Sequence, residues 1–300
     1  QTRSILKTGG RISTVDFNLT DSQREIAEAV TQLCARFDAQ YWRDCDTAAR
    51  FPEEFVSAIT KAGWLGIAMP EAYGGAGLGI TEAALMAHRI TRSGAGMSGA
   101  SAIHMNLFGP HPIVVFGNDD QKQRFLPPLI AGSERTCFGV TEPDAGLNTT
   151  ALETRARRRG DHYIINGRKM WTTTAQTATH ILLITRTTPL AECKKPTDGL
   201  TLFYTPLDRS RIEVRRIPKM GRAAVDSNAL FIDNLEVPVA NRIGDEGDGW
   251  RCLLHGLNPE RILVAAEAVG IGQVALEKAA NYARERIVFD RPIGKNQAIA

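Results

Sequence analysis

The sequence predicts an α+β fold in three successive segments, because its hydrophobic periodicity changes twice along the chain. Apolar residues recur at helical spacing from about Thr20 to Ile130. From about Thr136 the period is that of β-strands, and after residues 247–249 the helical period returns. We therefore expect three domains: an N-terminal all-α domain at 17–135, a middle β domain with barrel-like sheets at 136–245, and the start of a C-terminal helical bundle at 246–300.

Local signals indicate where helices begin and end. Thr20 or Asp21 can cap the first helix, because a short polar side chain accepts the free N–H groups of the first turn. Residues 51–52 (FP) begin a later helix, and Gly63 ends it. The glycines of residues 73–79 are spaced like a dinucleotide-binding loop. They lie between helical segments rather than between a strand and a helix, which argues against a Rossmann fold.

The middle segment contains a strong signal for a β-hairpin. Residues 163–165 and 170–172 alternate as strands do, and between them lies Asn166-Gly167, a pair that accepts the positive φ angles of a type I′ turn. Four further strands are predicted, at 181–185, 200–204, 212–216 and 229–237.

Composition excludes several classes of protein. The chain has 300 residues, of which 43% are apolar and 23% charged, so it can bury a core and does not have the composition of a disordered protein. The net charge is only +3, and the one basic cluster, at Arg155 and residues 157–159, is typical of a solvated face. We therefore expect no nucleic-acid partner. No apolar run reaches the length of about 20 residues that spans a bilayer, so no integral membrane segment is expected.

Cysteines and histidines give no sign of a disulfide framework or a metal site. The cysteines number five and are widely separated, which favours a reducing compartment. The six histidines have no metal-ligand spacing, and we interpret His104 and His111 as structural or surface groups. The first fifteen residues contain Arg3, Lys7 and Arg11 without an acid, which is compatible with a transit peptide or with a processed end.

Four blocks of sequence, in order and in register, resemble the acyl-CoA dehydrogenase family. Residues 69–77 read MPEAYGGAG and residues 138–146 read FGVTEPDAG, which is similar to the flavin signature of the family. Residues 166–173 read NGRKMWTT, and residues 286–289 read RIVF, followed by Gln297. Together the blocks extend over nearly the whole chain from Phe17 onward. The resemblance implies an FAD-dependent enzyme in a bacterial cytoplasm or a mitochondrial matrix.

The second and third blocks are expected to hold the flavin. An isoalloxazine ring needs polar groups along its pyrimidine edge and an apolar surface against its face. By resemblance, the Thr173 hydroxyl lies near flavin N5, Thr141 meets the polar edge, and Trp171 covers a ring face. The flavin contacts expected from these two blocks are Phe138, Val140, Thr141, Trp171, Thr172 and Thr173.

The end of the flavin signature departs from the family pattern. Gly146 would let backbone N–H groups approach the FAD pyrophosphate. The family usually has a hydroxyl residue and an acid next, where this chain has Leu147-Asn148. Leu147 is still assigned to the substrate site by its position, and Thr149 or Thr150 can substitute for the missing hydroxyl.

The fourth block predicts that the protein forms an oligomer. In the family this segment reaches the FAD of a neighbouring subunit, so Arg286, Phe289 and Gln297 are expected to bind cofactor in a homodimer or homotetramer. Arginine suits the role because its fixed fork of donors matches pyrophosphate oxygens. The alternative for Arg286 is a solvated helix end. Family members continue beyond this glutamine, so we expect further helices to cover Ile262, Val269 and Val274.

The activity implied by the resemblance is α,β-dehydrogenation of an acyl-CoA thioester, with electrons passed to an electron-transferring flavoprotein. Three alternatives share the architecture: an acyl-CoA oxidase, a flavin monooxygenase, and a non-catalytic assembly subunit. A monooxygenase should lack the catalytic base, whereas this chain has a candidate. Acyl length and branching do not follow from the sequence.

Glu260 is the candidate base. A positioned carboxylate is needed because the α-proton of a thioester is only weakly acidic. In the isovaleryl-CoA and long-chain branches of the family, the glutamate lies in an L-x-x-E-R pattern, which residues 257–261 (LNPER) match. Glu260 also precedes Arg286 by the separation expected for that position. By the same resemblance, Arg261 helps to hold the CoA end of the substrate, and Asn258 is assigned to the substrate site.

A purely structural role for Glu260 is the competing interpretation. Asn258 could cap a helix, Pro259 could be its first residue, and Glu260 would then be an acid favoured in the first turn by the helix dipole. A second alternative places the base in a C-terminal segment beyond Ala300.

Overall fold

The computed structural model describes residues 18–300, in which helices precede and follow a β-sheet. The predicted α+β class is therefore confirmed. Arg3, Lys7, Arg11 and Phe17 lie outside the described residues. No helix within residues 18–300 is long and apolar enough to cross a membrane, and no group of three or more His, Cys, Asp or Glu residues there is arranged to hold a metal ion.

Helices form the first segment, and their ends follow local signals. The Thr20 hydroxyl accepts the Gln23 N–H at 3.2 Å, while the Gln23 side chain accepts the Thr20 N–H at 3.1 Å, so the predicted cap is present. Gly63 follows the third helix at φ +80°. The helices are α1 (Asp21–Cys34), α2 (Ala39–Thr47), α3 (Glu53–Lys61), α4 (Ile80–Ile90), α5 (Gly96–Ile103), α6 (Met105–Phe108), α7 (His111–Phe116) and α8 (Asp119–Ile130).

The middle segment forms a mixed sheet in the order β6-β7-β3-β2-β4-β5-β8, with β1 parallel to β4. The four further strands predicted from the alternation of apolar residues correspond to β4, β5, β6 and β7. The strands are β1 (Thr136–Gly139), β2 (Arg155–Arg159), β3 (His162–Thr173), β4 (His180–Arg186), β5 (Leu200–Pro206), β6 (Ile212–Arg216), β7 (Ser227–Pro238) and β8 (Arg242–Ile243).

The predicted hairpin at Asn166-Gly167 is wrong, because β3 runs straight through this pair. It pairs with β7 from His162 opposite Pro238 to Thr173 opposite Ser227, with register shifts between Ile165 and Gly167 and between Lys169 and Thr172. Gly167 is needed for a different reason: a Cβ there would lie 2.7 Å from the Thr154 Cα. The Asn-Gly pair therefore permits close approach of a neighbouring segment, and long-range pairing overrides its turn preference.

The turn that precedes β3 lies at Gly160 and Asp161, between β2 and β3, where Arg159 pairs with His162. Gly160 supplies the positive φ angle, at +63°.

A single helix, α9 (Gly249–Glu285), follows the sheet for 37 residues. It begins at Gly249, where a Cβ would lie 2.6 Å from the Thr201 Cα. The interpretation of Asn258 as a helix cap is therefore wrong, since Pro259 is buried ten residues inside the helix. At a rise of about 1.5 Å per residue, α9 is roughly 56 Å long. A small hairpin of β9 (Ile287–Val288) and β10 (Arg291–Pro292) follows.

The apolar cores meet at one aromatic side chain. One cluster joins the N-terminal helices to Leu263 of α9, and another joins α7, α8 and the sheet to Cys252 and Leu253 of α9. Phe138 at the end of β1 packs against both clusters. Helices, sheet and α9 therefore all lie next to Phe138.

Two glycines of α9 allow a test of how closely this helix packs on α4. A Cβ on Gly270 would lie 2.5 Å from the His88 carbonyl oxygen and closer still to Thr91, whereas a Cβ on Gly272 meets no neighbouring atom. We expect Gly270→Ala to lower the free energy of unfolding by about 1–3 kcal/mol through overpacking. Gly272→Ala should raise the free energy of unfolding by up to about 1 kcal/mol. Chemical denaturation of both variants checks this, and equal stabilities would contradict the close packing.

Candidate active site

Residues immediately after β1 are joined to the second half of β3. The Lys169 ammonium donates to the Val140 carbonyl at 3.0 Å, and the Met170 N–H donates to the Thr141 carbonyl at 2.8 Å. Two consecutive residues of β3 thus hold two consecutive residues of the 138–146 block. The structure brings the second and third sequence blocks together.

A buried ion pair fixes this junction. The Lys169 Nζ lies 2.8 Å from Glu142 Oε1, and Lys169 is completely buried. Glu142 also accepts the backbone N–H groups of Glu153 at 2.6 Å and Thr154 at 3.0 Å. Burial lowers the pKa of Lys169 to about 8, although Glu142 opposes the shift. Burial acts to raise the pKa of Glu142, but Lys169 and the hydrogen bonds outweigh it, so the net pKa is lowered.

Trp171 lies on a bulge that turns it outward. Lys169 pairs with Leu230 and Thr172 with Asn228, so β3 has one extra residue here. Trp171 has φ +61° and is 56% exposed. Because a bulky residue seldom adopts a left-handed conformation, the bulge is a strained feature that the surrounding contacts maintain.

Polar groups near this ring are available to a ligand. Among the described residues, the hydroxyls of Thr141 and Thr173 make no hydrogen bond. The Thr172 hydroxyl is buried and also has no hydrogen-bond partner within residues 18–300. An exposed indole face beside unpaired hydroxyls fits a flat, apolar ring system with a polar edge, as in a flavin.

The loop after this junction is open to solvent. Gly146 has no positive φ angle, and a Cβ there would meet no atom, so its contribution to phosphate binding stays a prediction. Leu147 is fully exposed. A cleft of about 520 Å³ lies beside the loop, lined by residues of both charges that include Asp144, Glu153 and Arg168. Two of its acids are paired, Glu142 with Lys169 and Asp144 with Arg168.

Glu260 projects from α9 as a half-buried carboxylate that makes no hydrogen bond or ion pair with another described residue. Burial raises the pKa of Glu260 above its usual range, with His104 and Arg261 opposing the shift and Glu267 adding to it. Arg261 instead donates to the Asn258 side chain at 2.6 Å. An unpaired carboxylate with a raised pKa is the chemical profile of a general base.

Phe138 places the flavin block close to this carboxylate. Its ring packs edge-on against Phe108 at 5.7 Å, and its Cζ would lie 3.5 Å from a Cβ on Gly256. Because Glu260 follows Gly256 by four residues, both lie on the same face of α9. The β1 end, α6 and the Glu260 face of α9 therefore surround one site.

Comparison with known proteins assigns the family. The N-terminal, middle and C-terminal domains of acyl-CoA dehydrogenase match residues 20–133, 137–235 and 247–300. The chain is 35% identical over 251 residues to an acyl-CoA dehydrogenase of Bacillus subtilis, covering 83% of this chain and 65% of the relative. It is 32% identical to the glutaryl-CoA dehydrogenase of Desulfococcus multivorans, covering 94% of this chain and 72% of the relative. The chain belongs to the acyl-CoA dehydrogenase family.

The solved structures agree with this family membership. Butyryl-CoA dehydrogenase from Megasphaera elsdenii superimposes with a TM-score of 0.86 at 28% identity, over 95% of this chain and 74% of that one. The chain spans about two thirds to three quarters of the length of these relatives. Members of the acyl-CoA dehydrogenase family are FAD-dependent oxidoreductases, and the groups around Trp171 fit that cofactor.

The residues of the fourth block do not share the site of Glu260. Arg286 follows Glu260 by 26 residues of almost continuous helix, a separation of about 39 Å along the axis. Phe289 is 93% exposed with φ +52°, and Gln297 is exposed. Arg286, Phe289 and Gln297 therefore lie away from Glu260, and their contact with a cofactor stays a prediction.

The sequence interpretation missed a second carboxylate near the base. Glu267 is fully buried and accepts the His104 Nδ1–H at 2.9 Å. Glu267 follows Glu260 by seven residues, two helical turns, so the spacing was available as a signal that both lie on one face. His104, expected to be structural or at the surface, is 95% buried beside this acid, so it is not a surface group.

We expect Lys169→Met to lower the free energy of unfolding by about 3–5 kcal/mol, because Glu142 would keep a buried charge without its partner. The double variant Lys169→Met/Glu142→Gln removes both charges and should recover part of this loss. Urea denaturation measures the stability, and absorbance of the purified protein near the flavin bands measures FAD content. A single variant as stable as the parent, or a double variant no better than the single, would show that the ion pair does not hold the junction.

Proposed function

We propose that the protein oxidises an acyl-CoA thioester to the trans-2-enoyl-CoA, with Glu260 as the base that removes the α-proton. The observation that carries this proposal is the unpaired, half-buried carboxylate of Glu260 on the face of α9 that contacts Phe138. Bound FAD supplies the acceptor for the hydride that leaves Cβ. The C–H bonds at Cα and Cβ break, the Cα–Cβ double bond forms, and the substrate loses two electrons.

The surroundings of Glu260 suit proton abstraction. Burial raises its pKa, which makes the carboxylate a stronger base than a solvated glutamate. Arg261 lies next to it in sequence but bonds to Asn258, so the carboxylate is left without an ion-pair partner among the described residues. Asn258 and Arg261 are both exposed, and with Leu147 they remain our candidates for substrate contacts, Arg261 at the CoA end.

The cofactor is proposed to lie against the outer surface of β3. Trp171 supplies an apolar face, while Thr141 and Thr173 supply unpaired hydroxyls for the polar edge. Phe138, Val140 and Thr172 form the buried wall behind them. Gly146 is proposed to lie beside the pyrophosphate.

An electron-transferring flavoprotein is the proposed electron acceptor, on the basis of family resemblance. Stopped-flow mixing with acyl-CoA thioesters follows reduction of the flavin by loss of its absorbance. Reoxidation is then compared with oxygen and with electron-transferring flavoprotein. Fast reoxidation by oxygen would identify an oxidase, and no reduction by any thioester would contradict the proposed function.

Glu260→Gln should slow flavin reduction by about two to four orders of magnitude, because the amide keeps the shape but cannot accept the proton. FAD content should be unchanged. In the parent protein, the rate should fall as pH drops through the raised pKa of Glu260, since only the ionised carboxylate is a base. Glu277→Gln, which changes an exposed glutamate on the same helix, is the matched control. A Glu260→Gln variant as fast as this control would place the base elsewhere.

The site is proposed to be completed by Arg286, Phe289 and Gln297 of a second copy in a homodimer or homotetramer. Mixing Glu260→Gln subunits with Arg286→Ala subunits tests this, because each variant alone should be inactive. When the subunits pair at random, half of the dimers contain one subunit of each variant. Each such dimer has one intact site out of two, so about a quarter of parental activity should return. Light scattering measures the oligomeric state. A monomer that holds FAD tightly, or mixed subunits without activity, would refute the shared site.

A further inference from the structure

One cluster of buried polar groups near the proposed base has no part in proton removal. His104 is 5% exposed and its ring packs on Phe108 at a centroid distance of 5.2 Å, while Phe108 in turn packs on Phe138. Its Nδ1 bonds to Glu267, which is fully buried. The cluster therefore lies at the end of a row of packed rings that runs from Phe138 through Phe108 to His104.

The positions on α9 align the cluster with the base. Gly256, Glu260 and Glu267 are four and seven residues apart, so they occupy one face of the helix. Glu267 lies about 10 Å beyond Glu260 along the axis. To meet His104 and Glu267, an acyl chain with its Cα at Glu260 must run along α9 toward the C-terminal end of this helix.

The hydrogen bonds leave one nitrogen of His104 available. A carboxylate can only accept, so His104 must carry its proton on Nδ1. The other ring nitrogen, Nε2, makes no hydrogen bond to another residue within 18–300 and is not fully sealed from solvent. The second oxygen of Glu267, Oε2, is buried and has no hydrogen-bond partner within residues 18–300. Because buried polar groups are normally paired, these two unpaired atoms indicate a position for a polar ligand atom.

Carboxylates outnumber arginines around the cluster. Burial lowers the pKa of Arg222, opposed by the neighbouring carboxylates of Asp226 and Glu267. Its guanidinium donates to the hydroxyls of Ser101 at 2.7 Å and Ser227 at 3.3 Å. Glu260 adds a further carboxylate close to Glu267. An anionic ligand group at His104 would be repelled by these carboxylates, so a neutral polar group fits the position.

We propose that His104, held by Glu267, is a specificity residue that binds a hydroxyl group on the acyl chain of the substrate. A hydroxyl both donates and accepts, so it pairs with Nε2 whether the ring is neutral or charged. This inference rests on the proposed dehydrogenation and names its substrate class, a hydroxylated acyl-CoA thioester with the hydroxyl remote from the reacting carbons.

The test compares straight-chain acyl-CoA thioesters with analogues that carry a hydroxyl at successive carbons beyond Cβ. For the parent protein, kcat/KM should be at least about tenfold higher for one hydroxylated position than for the plain chain of equal length, because a buried polar group left unpaired disfavours the plain chain. His104→Leu should lose this preference and use plain chains at least as well as the parent does. His111→Leu, which removes a half-buried imidazole stacked on His255, should keep it.

Two further variants control for folding. His104→Gln keeps polar atoms at the position and should retain part of the preference, and Glu267→Gln keeps shape while weakening the hold on the ring. FAD content and circular dichroism verify that each variant is folded. A parent protein that reduces its flavin equally fast with plain and hydroxylated chains overturns this inference alone. The inference is also overturned if His104→Leu and Glu267→Gln lose as much activity on plain chains as on hydroxylated chains. If no thioester reduces the flavin of the parent protein, the proposed function is overturned as well.

Discussion

The buried pair of Lys169 and Glu142 is the interaction on which the geometry of the site depends. Two charges removed from water are tolerated only when each has further hydrogen-bond partners. Here the ammonium also binds the Val140 carbonyl, and the carboxylate binds the Glu153 and Thr154 N–H groups. Three segments distant in sequence are thereby fixed to one point. Thr141 lies between two of the bonded residues and Trp171 follows Lys169 by two, so the relative placement of the two flavin blocks is a consequence of this pair.

The long helix α9 has a complementary role. It carries the candidate base, Glu260, and it ends next to Arg286, which lies about 39 Å from Glu260 along the helix axis. A rigid helix positions a side chain more reproducibly than a loop does. Glycines at its two contact points allow this: Gly249 lies against the Thr201 backbone and Gly270 against His88. The same rigidity prevents Arg286 from folding back toward Glu260. A helix of this length therefore links the placement of the base to the proposed assembly of subunits.

Sequence signals predicted the structure well where local physics decides it. The Thr20 cap, the strands of alternating apolar residues and the start of α9 at Gly249 all depend on neighbours in sequence. The failures occurred where distant contacts override a local preference. Asn166-Gly167 has the composition of a turn but pairs along β7, and Asn258-Pro259 has the composition of a helix start but lies within a helix anchored nine residues earlier. The site residues were chosen through family resemblance, and the pairing of His104 with Glu267 required three-dimensional contact between α5–α6 and α9.

Two carboxylates on one face of α9 illustrate how environment assigns different roles to the same side chain. Glu267 is fully buried and bonded to His104, with Arg222 nearby, so it is fixed in place and serves to orient another group. Glu260 is half-buried and has no partner among the described residues, so its carboxylate is left available to take a proton. If Glu260 also had an ion-pair partner, its pKa would fall and its basicity with it. Arg261 bonds to Asn258 and forms no ion pair with Glu260, so its charge opposes the raised pKa of Glu260 without cancelling the effect of burial.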